Sequence, residues 1–540
     1  MQPLQEPTAW QLYRRLAVYL KGYWKVFTVA IVAMLVVAAT MPLFGYLLKP
    51  LINEGFVDKN MQRMSWLPLA IVALFIVRGV FNFINEYCTS YLSSHLVQSM
   101  RQEMFAKLMV DSLKTWTKEY KIDSFRFDIM GHHPKAQMVE TLAKVKAVDP
   151  EMYFYGEGWN FGEVKDGARG VNATQFNMAG TGIGTFNDRL RDGVRGGSPF
   201  DEKALLETNL GFASAGSRFN ADLNSRMDLI RIGMAGNLQD YSFTTADGTT
   251  KKGVDIDYGG VGAGYAKDPQ EAINYVEKHD NQTLWDIIQY KAEADVTAAD
   301  RARMSVVGQA TVLLGQGVPF MHMGSELLRS KSMNRDSYDS GDWFNKVDFS
   351  KQTNNWNVGL PRADKDQDNW PYILKALDNP NSVATPTDIA WSDARIKELM
   401  KVRSTTELLR LATADDIIKR VKFFNTGADY VPGVIMMGVD DGAAMGADLD
   451  ANYDAIMVAI NANTVEQTVY AGGTQGFELH PVFVDSSDAQ LKTAKFENGK
   501  FTLPPLSAVV FVKKQSGSAA TGLDVAPLDR KSTRLNSSHT

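Results

Sequence analysis

Three features of this 540-residue sequence predict an α/β fold on a parallel sheet, followed by an all-β sandwich and preceded by two membrane helices. Long charge-free apolar runs are confined to the first 110 residues. Strand–helix–strand text begins near residue 124, and strand-like runs separated by turn-rich text follow residue 414.

The first run, 26–48 (VFTVAIVAMLVVAATMPLFGYLL), carries no charge and is bounded by Lys25 and Lys49. At 1.5 Å per residue it makes about 34 Å of helix, enough to cross ~30 Å of hydrocarbon. Pro42 predicts a kink, which neighbouring membrane helices tolerate. A second run, Met64 to Val77, continues past Arg78 as GVFNFI and predicts a helix over about 64–85; Arg78 would face a bundle or cavity. Arg14, Arg15, Lys21 and Lys25 precede the first run, and Arg101 and Lys107 follow the second. The positive-inside rule therefore puts both flanks in the cytoplasm. A secretory signal peptide is the competing reading, but the positive region is long and a second span follows.

Composition separates the two parts. The formal charge of −5 is the sum of +5 over residues 1–110 (ten Lys/Arg, five Asp/Glu) and −10 over the rest (47 against 57). With 45% apolar and 22% charged residues, disorder, collagen and disulfide scaffolds are excluded. A weakly acidic total without a dense Lys/Arg stripe argues against nucleic acid. Cys88 is the only cysteine, so neither an internal disulfide nor a multi-cysteine metal site exists.

From Val110 the text predicts an amphipathic helix (111–120), a strand in FRFDIM, a helix (135–147) and a strand in MYFYGE. This is a parallel crossover unit, with function expected at the strands' C-terminal ends. Arg126 and Asp128, two apart, share one face, and a carboxylate beside a guanidinium stays ionised, as a nucleophile needs. Glu157 ends the next strand between Gly156 and Gly158. Trp159 is available as an apolar wall that would raise its pKa, as a general acid needs. A third strand, INYVEKHDN (273–281), ends in His279, Asp280 and Asn281. Singly, these motifs read as a surface ion pair, a loop Glu and a turn with local hydrogen bonds. Strand ends carrying Asp, Glu and His-Asp in that order are harder to obtain by chance.

Two resemblances account for the division. WQLYRRLAVYLKGYWKVF (10–27), PLFGYLLKPLINEGF (42–56) and 74–109 resemble the start of lipid A-exporting ABC transporters, of which only the first two spans are present. No G-x-x-x-x-G-K-[ST] loop occurs, so no ATP site is expected. Residues 111–514 resemble glycoside hydrolase family 13, in its pullulanase and pullulanase-type α-1,6-glucosidase branch. The resemblance is carried by KIDSFRFDIMGHHPK, YFYGEGWNFGEV, TFNDRLRDGVRGG, NYVEKHDNQTLWD and QGVPFMHMGSELLRSKSMNRDSYDSGDWFNKVDF.

The hydrolase resemblance implies an α-glucan substrate and a retaining mechanism, with carboxyls ~5–5.5 Å apart. Asp128 would be the nucleophile held ionised by Arg126, Glu157 the acid/base, and Asp280 the residue that strains the sugar ring beside His279. His132, Trp159, Asn281, Asn334, Arg335, Asp336 and Trp343 would contact glucan, with core packing and loop caps as the plainer reading of several. No cofactor is required; the histidines lack metalloprotease spacing, and calcium remains possible as in relatives.

The resemblance also implies a (β/α)8 barrel over 110–413, closing with a helix near 394–413. A sandwich would follow over 414–515 (strands near 420–424, 433–439, 455–463 and 506–514), then a disordered tail, 516–540, whose RKSTRLNSSHT looks like a translated sequencing adapter. The family's D-x-x-x-N-H segment is absent before Asp128. The barrel is therefore expected to be partial, its first strands replaced by the transporter-like segment 1–109, with little or no activity. The chain reads as a chimera. Its competing functions are a membrane fragment of an exporter without ATPase, or a non-functional fusion. A bacterial inner-membrane location is expected from the two spans, although hydrolase relatives are soluble and often exported.

Overall fold

A computed structural model describes residues 8–53, 66–427, 430–517 and 520–523, so most of the 516–540 tail lies outside the described residues. The chain divides into two units, Met1–Ile122 with Ala143–Pro150, and Asp123–Leu142 with Glu151 onward.

The first unit is helical: α1 (Ala9–Leu20), α2 (Trp24–Ile52) and α3 (Leu67–Tyr120). The first predicted span sits inside α2, which runs on through both Pro42 and Pro50. The second is far longer than its apolar text, because no Gly or Pro interrupts Val80 to Tyr120. The separately predicted helix 111–120 is the end of α3, which stops where Lys121 turns left-handed (φ +56°). Phe44 of α2 packs on Phe75 of α3 at 5.4 Å between ring centres. Arg78 finds a partner on the facing helix, its Nη1 donating to Thr40 Oγ1 at 3.0 Å. Leu35, Leu69 and Phe83 remain exposed, and both helices are long and apolar enough to cross a membrane.

The second unit opens with a five-stranded, wholly parallel sheet. Its strands lie in sequence order: β1 (Ser124–Phe127), β2 (Tyr153–Gly156), β3 (Gly184–Asn187), β4 (Ala272–Asn274) and β5 (Val318–Pro319). Helix α4 (Lys135–Lys146) links β1 to β2. The strands are shorter than their text suggests, so Asp128, Glu157 and the His279–Asn281 triplet all fall beyond strand ends, in the loops where parallel sheets carry chemistry. Phe154, Phe186, Ile273 and Tyr275 are buried among them.

Gly156 is needed for the β1–β2 contact. A Cβ there would lie 2.5 Å from the Phe127 carbonyl oxygen and 2.8 Å from Met130 Cβ. Gly156→Ala is expected to destabilise this unit by about 1–3 kcal/mol, as overpacking does. A thermal or denaturant midpoint equal to wild type would contradict this.

The helix predicted at 394–413 is instead α5, Pro386–Ser404. Its start is set by a capping box: Thr385 accepts from the Asp388 amide, and Asp388 reaches back to the Thr385 amide. Beyond it lies the predicted β-sandwich. Five strands form one sheet: β6 (Val421–Phe424), β7 (Val434–Asp440), β8 (Tyr453–Asn461), β10 (Glu478–Leu479) and β13 (Ser507–Lys514). β9 (Gln467–Tyr470), β11 (Lys495–Glu497) and β12 (Lys500–Leu503) form the other. β7 and β8 read as near-continuous apolar runs because both faces are buried, and Phe501 packs on Phe511 at 5.0 Å between the sheets.

Candidate active site

The C-terminal ends of β1 and β2 place three groups. Arg126 is the one cation of β1, and its Nη1 lies 3.0 Å from Asp128 Oδ1. Its Nη2 lies 2.8 Å from Glu157 Oε1, so one planar guanidinium spans two carboxylates carried by adjacent strands. Asp128 is two-thirds exposed, whereas the Glu157 side chain is only 5% exposed. Next to Asp128, Ile129 is left-handed at φ +44°, a strained conformation for a β-branched residue. That turn aims the Ile129 amide at Glu157 Oε2 (3.2 Å), while the Gly131 amide donates to the Glu157 carbonyl oxygen (2.8 Å).

Lys278 completes the constellation. Its ammonium, as buried as Glu157, donates to Glu157 Oε1 and to Asp280 Oδ2, the latter at 2.5 Å. His279 Nε2 lies 3.3 Å from the other Asp280 oxygen. Asp128, Arg126, Glu157, Lys278, Asp280 and His279 thus form one connected network at the sheet's C-terminal end.

Electrostatics differ from the sequence expectation. Burial alone pushes Glu157 up, but Lys278, the Ile129 amide and Arg126 outweigh it and hold the carboxyl below the usual range. Trp159 packs partly buried against the Phe186–Ile273–Tyr275 cluster, with the Arg191 guanidinium 6.0 Å from its ring. Asp280 behaves like Glu157: burial raises it, and the bond to Lys278 together with the charges of Lys278, His279 and Lys331 outweighs burial and lowers it. Burial also lowers His279, which favours its neutral form.

The remaining predicted contacts spread outward. His132 faces Glu163 (Nε2 to Oε2, 3.7 Å) and the Phe161 ring, not the carboxylates. Asn281, left-handed at φ +63°, donates its amide to the Arg335 carbonyl oxygen at 2.9 Å, tying the 334–336 segment to the site through backbone. The side chains point elsewhere: Arg335 to Glu202 and Asp366, Asp336 to Lys365, and Asn334, buried, to Ser340 and the Asp336 amide. Trp343 is exposed. Among the described residues, no three His, Cys, Asp or Glu side chains are placed to hold a metal ion.

Sequence reading missed Lys278 and the Ile129 amide. The first had a signal: Glu277-Lys278 interrupts an apolar strand with two charges just before HDN. Both are buried, Glu277 accepting from the Leu284 amide and from Gln309. The second had none, since a left-handed Ile is disfavoured locally.

Comparison with known proteins divides the chain similarly. Residues 351–514 match the family model for pullulanase-type α-1,6-glucosidases, C-terminal, and residues 27–118 match that for the ABC transporter transmembrane region. A pullulanase of Klebsiella pneumoniae is 44% identical over 465 residues, 84% of this chain and 42% of the relative. Pullulanase 1, chloroplastic, of Arabidopsis thaliana is 40% identical, over 77% of this chain and 45% of the relative. An ATP-dependent lipid A-core flippase of Chromobacterium violaceum is 52% identical over 101 residues, 19% of this chain and 17% of the relative. Among solved structures, Klebsiella pneumoniae pullulanase complexed with maltotriose superposes with TM-score 0.73 at 44% identity, covering 78% of this chain and 41% of that one. The chain spans less than half the length of these relatives.

Proposed function

Because residues 351–514 carry the C-terminal domain of pullulanase-type α-1,6-glucosidases and residues 27–118 an ABC transporter transmembrane region, this chain joins parts of two families, and we propose that its second part is a retaining hydrolase of α-1,6 branch linkages in α-glucans. The observation that carries this reading is the single Arg126 guanidinium bridging Asp128 and Glu157, with Lys278 joining Glu157 to Asp280. Two carboxylates within reach of one guanidinium support the short spacing of retaining enzymes rather than the longer one that leaves room for water.

In this reading exposed Asp128 attacks the anomeric carbon as the glycosidic bond breaks, and Glu157 gives its proton to the departing oxygen. Glu157 then takes a proton from water, which displaces Asp128. The ionised, paired state of Glu157 suits the second step. The first requires glucan to part Lys278 from Glu157, so that burial dominates and the carboxyl gains a proton. Asp280 and His279 hold sugar hydroxyls. The absent D-x-x-x-N-H segment and the transporter-like text before β1 weaken the sugar subsite, so turnover is expected to be slow. The wild-type chain should release reducing ends slowly from pullulan, and Asp128→Asn should lose that release. No release by wild type, or equal release by both, would overturn the reading.

The first part inserts into lipid through α2 and α3 and supplies no nucleotide site, since no phosphate-cradling Gly-rich loop with Lys is present. Arg14, Lys21, Lys25, Arg101 and Lys107 on its flanks favour a cytoplasmic second part. Proteolysis of inverted and right-side-out vesicles tests this: cleavage of the hydrolase part only in inverted vesicles is expected, and cleavage only in right-side-out ones contradicts it.

A further inference from the structure

Resting on the hydrolase reading, we propose that a pocket behind Glu157 is a second saccharide site, taking one neutral glucosyl unit of an α-glucan. Beyond β2 alternate residues face opposite ways. Glu157 meets Arg126 and Lys278, and Trp159 joins the Phe186–Tyr275 cluster. Gly158 and Asn160 instead line a cavity of about 360 Å³. That volume lies in the range of small-molecule sites. Gly158 is held close to Thr185, since a Cβ there would lie 2.8 Å from Thr185 Cγ2.

The lining excludes an anion and offers partners for hydroxyls. Its acid, Asp166, is tied to Asn160 in both directions, side chain to side chain and amide to side chain, each at 2.9 Å. Its base, Arg189, is paired with Asp188 and donates to Gln175 Oε1 at 2.5 Å. Asn160 is neutral, so Asp166 keeps its charge, and with Arg189 already paired the pocket offers an acceptor for hydroxyl donors but no counter-ion for an anion. Gln175 is spent on Arg189, Phe186 and Asp188, so Asp166, Thr174 and Asn177 remain as hydrogen-bonding groups, beside the apolar faces of Phe176 and Val261, 37% and 50% exposed. Phe176 is backed by the Arg189 guanidinium, 6.0 Å from its ring. An apolar face next to a carboxylate, an amide and a hydroxyl matches a pyranose, whose C–H face is apolar and whose hydroxylated rim both donates and accepts. Gly167 and Gly170 have open space where a Cβ would stand, so the pocket is reachable.

The test is calorimetric titration of the full chain in detergent micelles with maltotriose, comparing wild type, Phe176→Ala, Val261→Trp and Asp280→Asn. Phe176→Ala is expected to weaken binding about tenfold, the loss typical of an aromatic anchor. Val261→Trp, a rim substitution that fills the pocket without touching the core, is expected to do the same. Asp280→Asn weakens the cleft, where Asp280 holds sugar hydroxyls, and should leave the binding that depends on Phe176 and Val261 within about twofold. Binding lost with Asp280→Asn but unchanged by both pocket variants would overturn the pocket and leave the hydrolase reading intact. No binding by wild type would also overturn the pocket, and the pullulan assay would then judge the hydrolase reading separately.

Discussion

Glu157→Gln should slow reducing-end release from pullulan about 10³-fold, within the range for loss of a positioned general acid. The substitution keeps the shape and the Ile129 amide bond but cannot donate a proton to the departing oxygen. A substrate whose leaving group needs no proton bypasses the defect, so α-glucosyl fluoride should lose far less in its first step than pullulan does. Equal losses on both substrates would mean that Glu157 acts structurally, through Arg126 and Lys278.

Lys278→Met carries the largest expected stability effect. Glu157 and Lys278 are each 5% exposed, and removing one partner of a buried ion pair typically costs 3–5 kcal/mol. Arg126 stays on Glu157, so a loss of about 3 kcal/mol at pH 7 is expected. The pH dependence has a definite sign. The folded Glu157 carboxyl lies below its usual range, so its stabilisation is present above the usual carboxylate pKa and disappears as pH falls through the folded value. The gap between wild type and Lys278→Met should therefore narrow below about pH 4. Chemical denaturation at pH 7 and in acid checks this; a gap that is absent at pH 7, or widens in acid, contradicts it.

What was legible in the sequence follows from how local each feature is. Two apolar helices, a crossover unit and a run of antiparallel strands are written in periodicity, so their existence was clear and their ends were not. The second helix continues to Tyr120 because nothing breaks it, although its apolar text ends much earlier. The α5 start was missed because its signal is a capping box at Thr385 and Asp388 rather than an apolar pattern. At the site, Arg126, Asp128, Glu157, His279 and Asp280 stand where strand ends place them. The sense of the Glu157 shift was not legible, since it depends on an ammonium from β4's extension more than a hundred residues away. Nor was the outward turn of Arg335 and Asp336, which is set by Glu202, Asp366 and Lys365.

Mechanism-based trapping interrogates the chemistry most directly and needs only one turnover. The full chain is incubated with 5-fluoro-α-glucosyl fluoride, digested and read by peptide mass spectrometry. A single glycosyl adduct on Asp128, absent in Asp128→Asn, is the predicted result; no adduct, or one on Glu157 or Asp280, would contradict a retaining hydrolase built on Asp128.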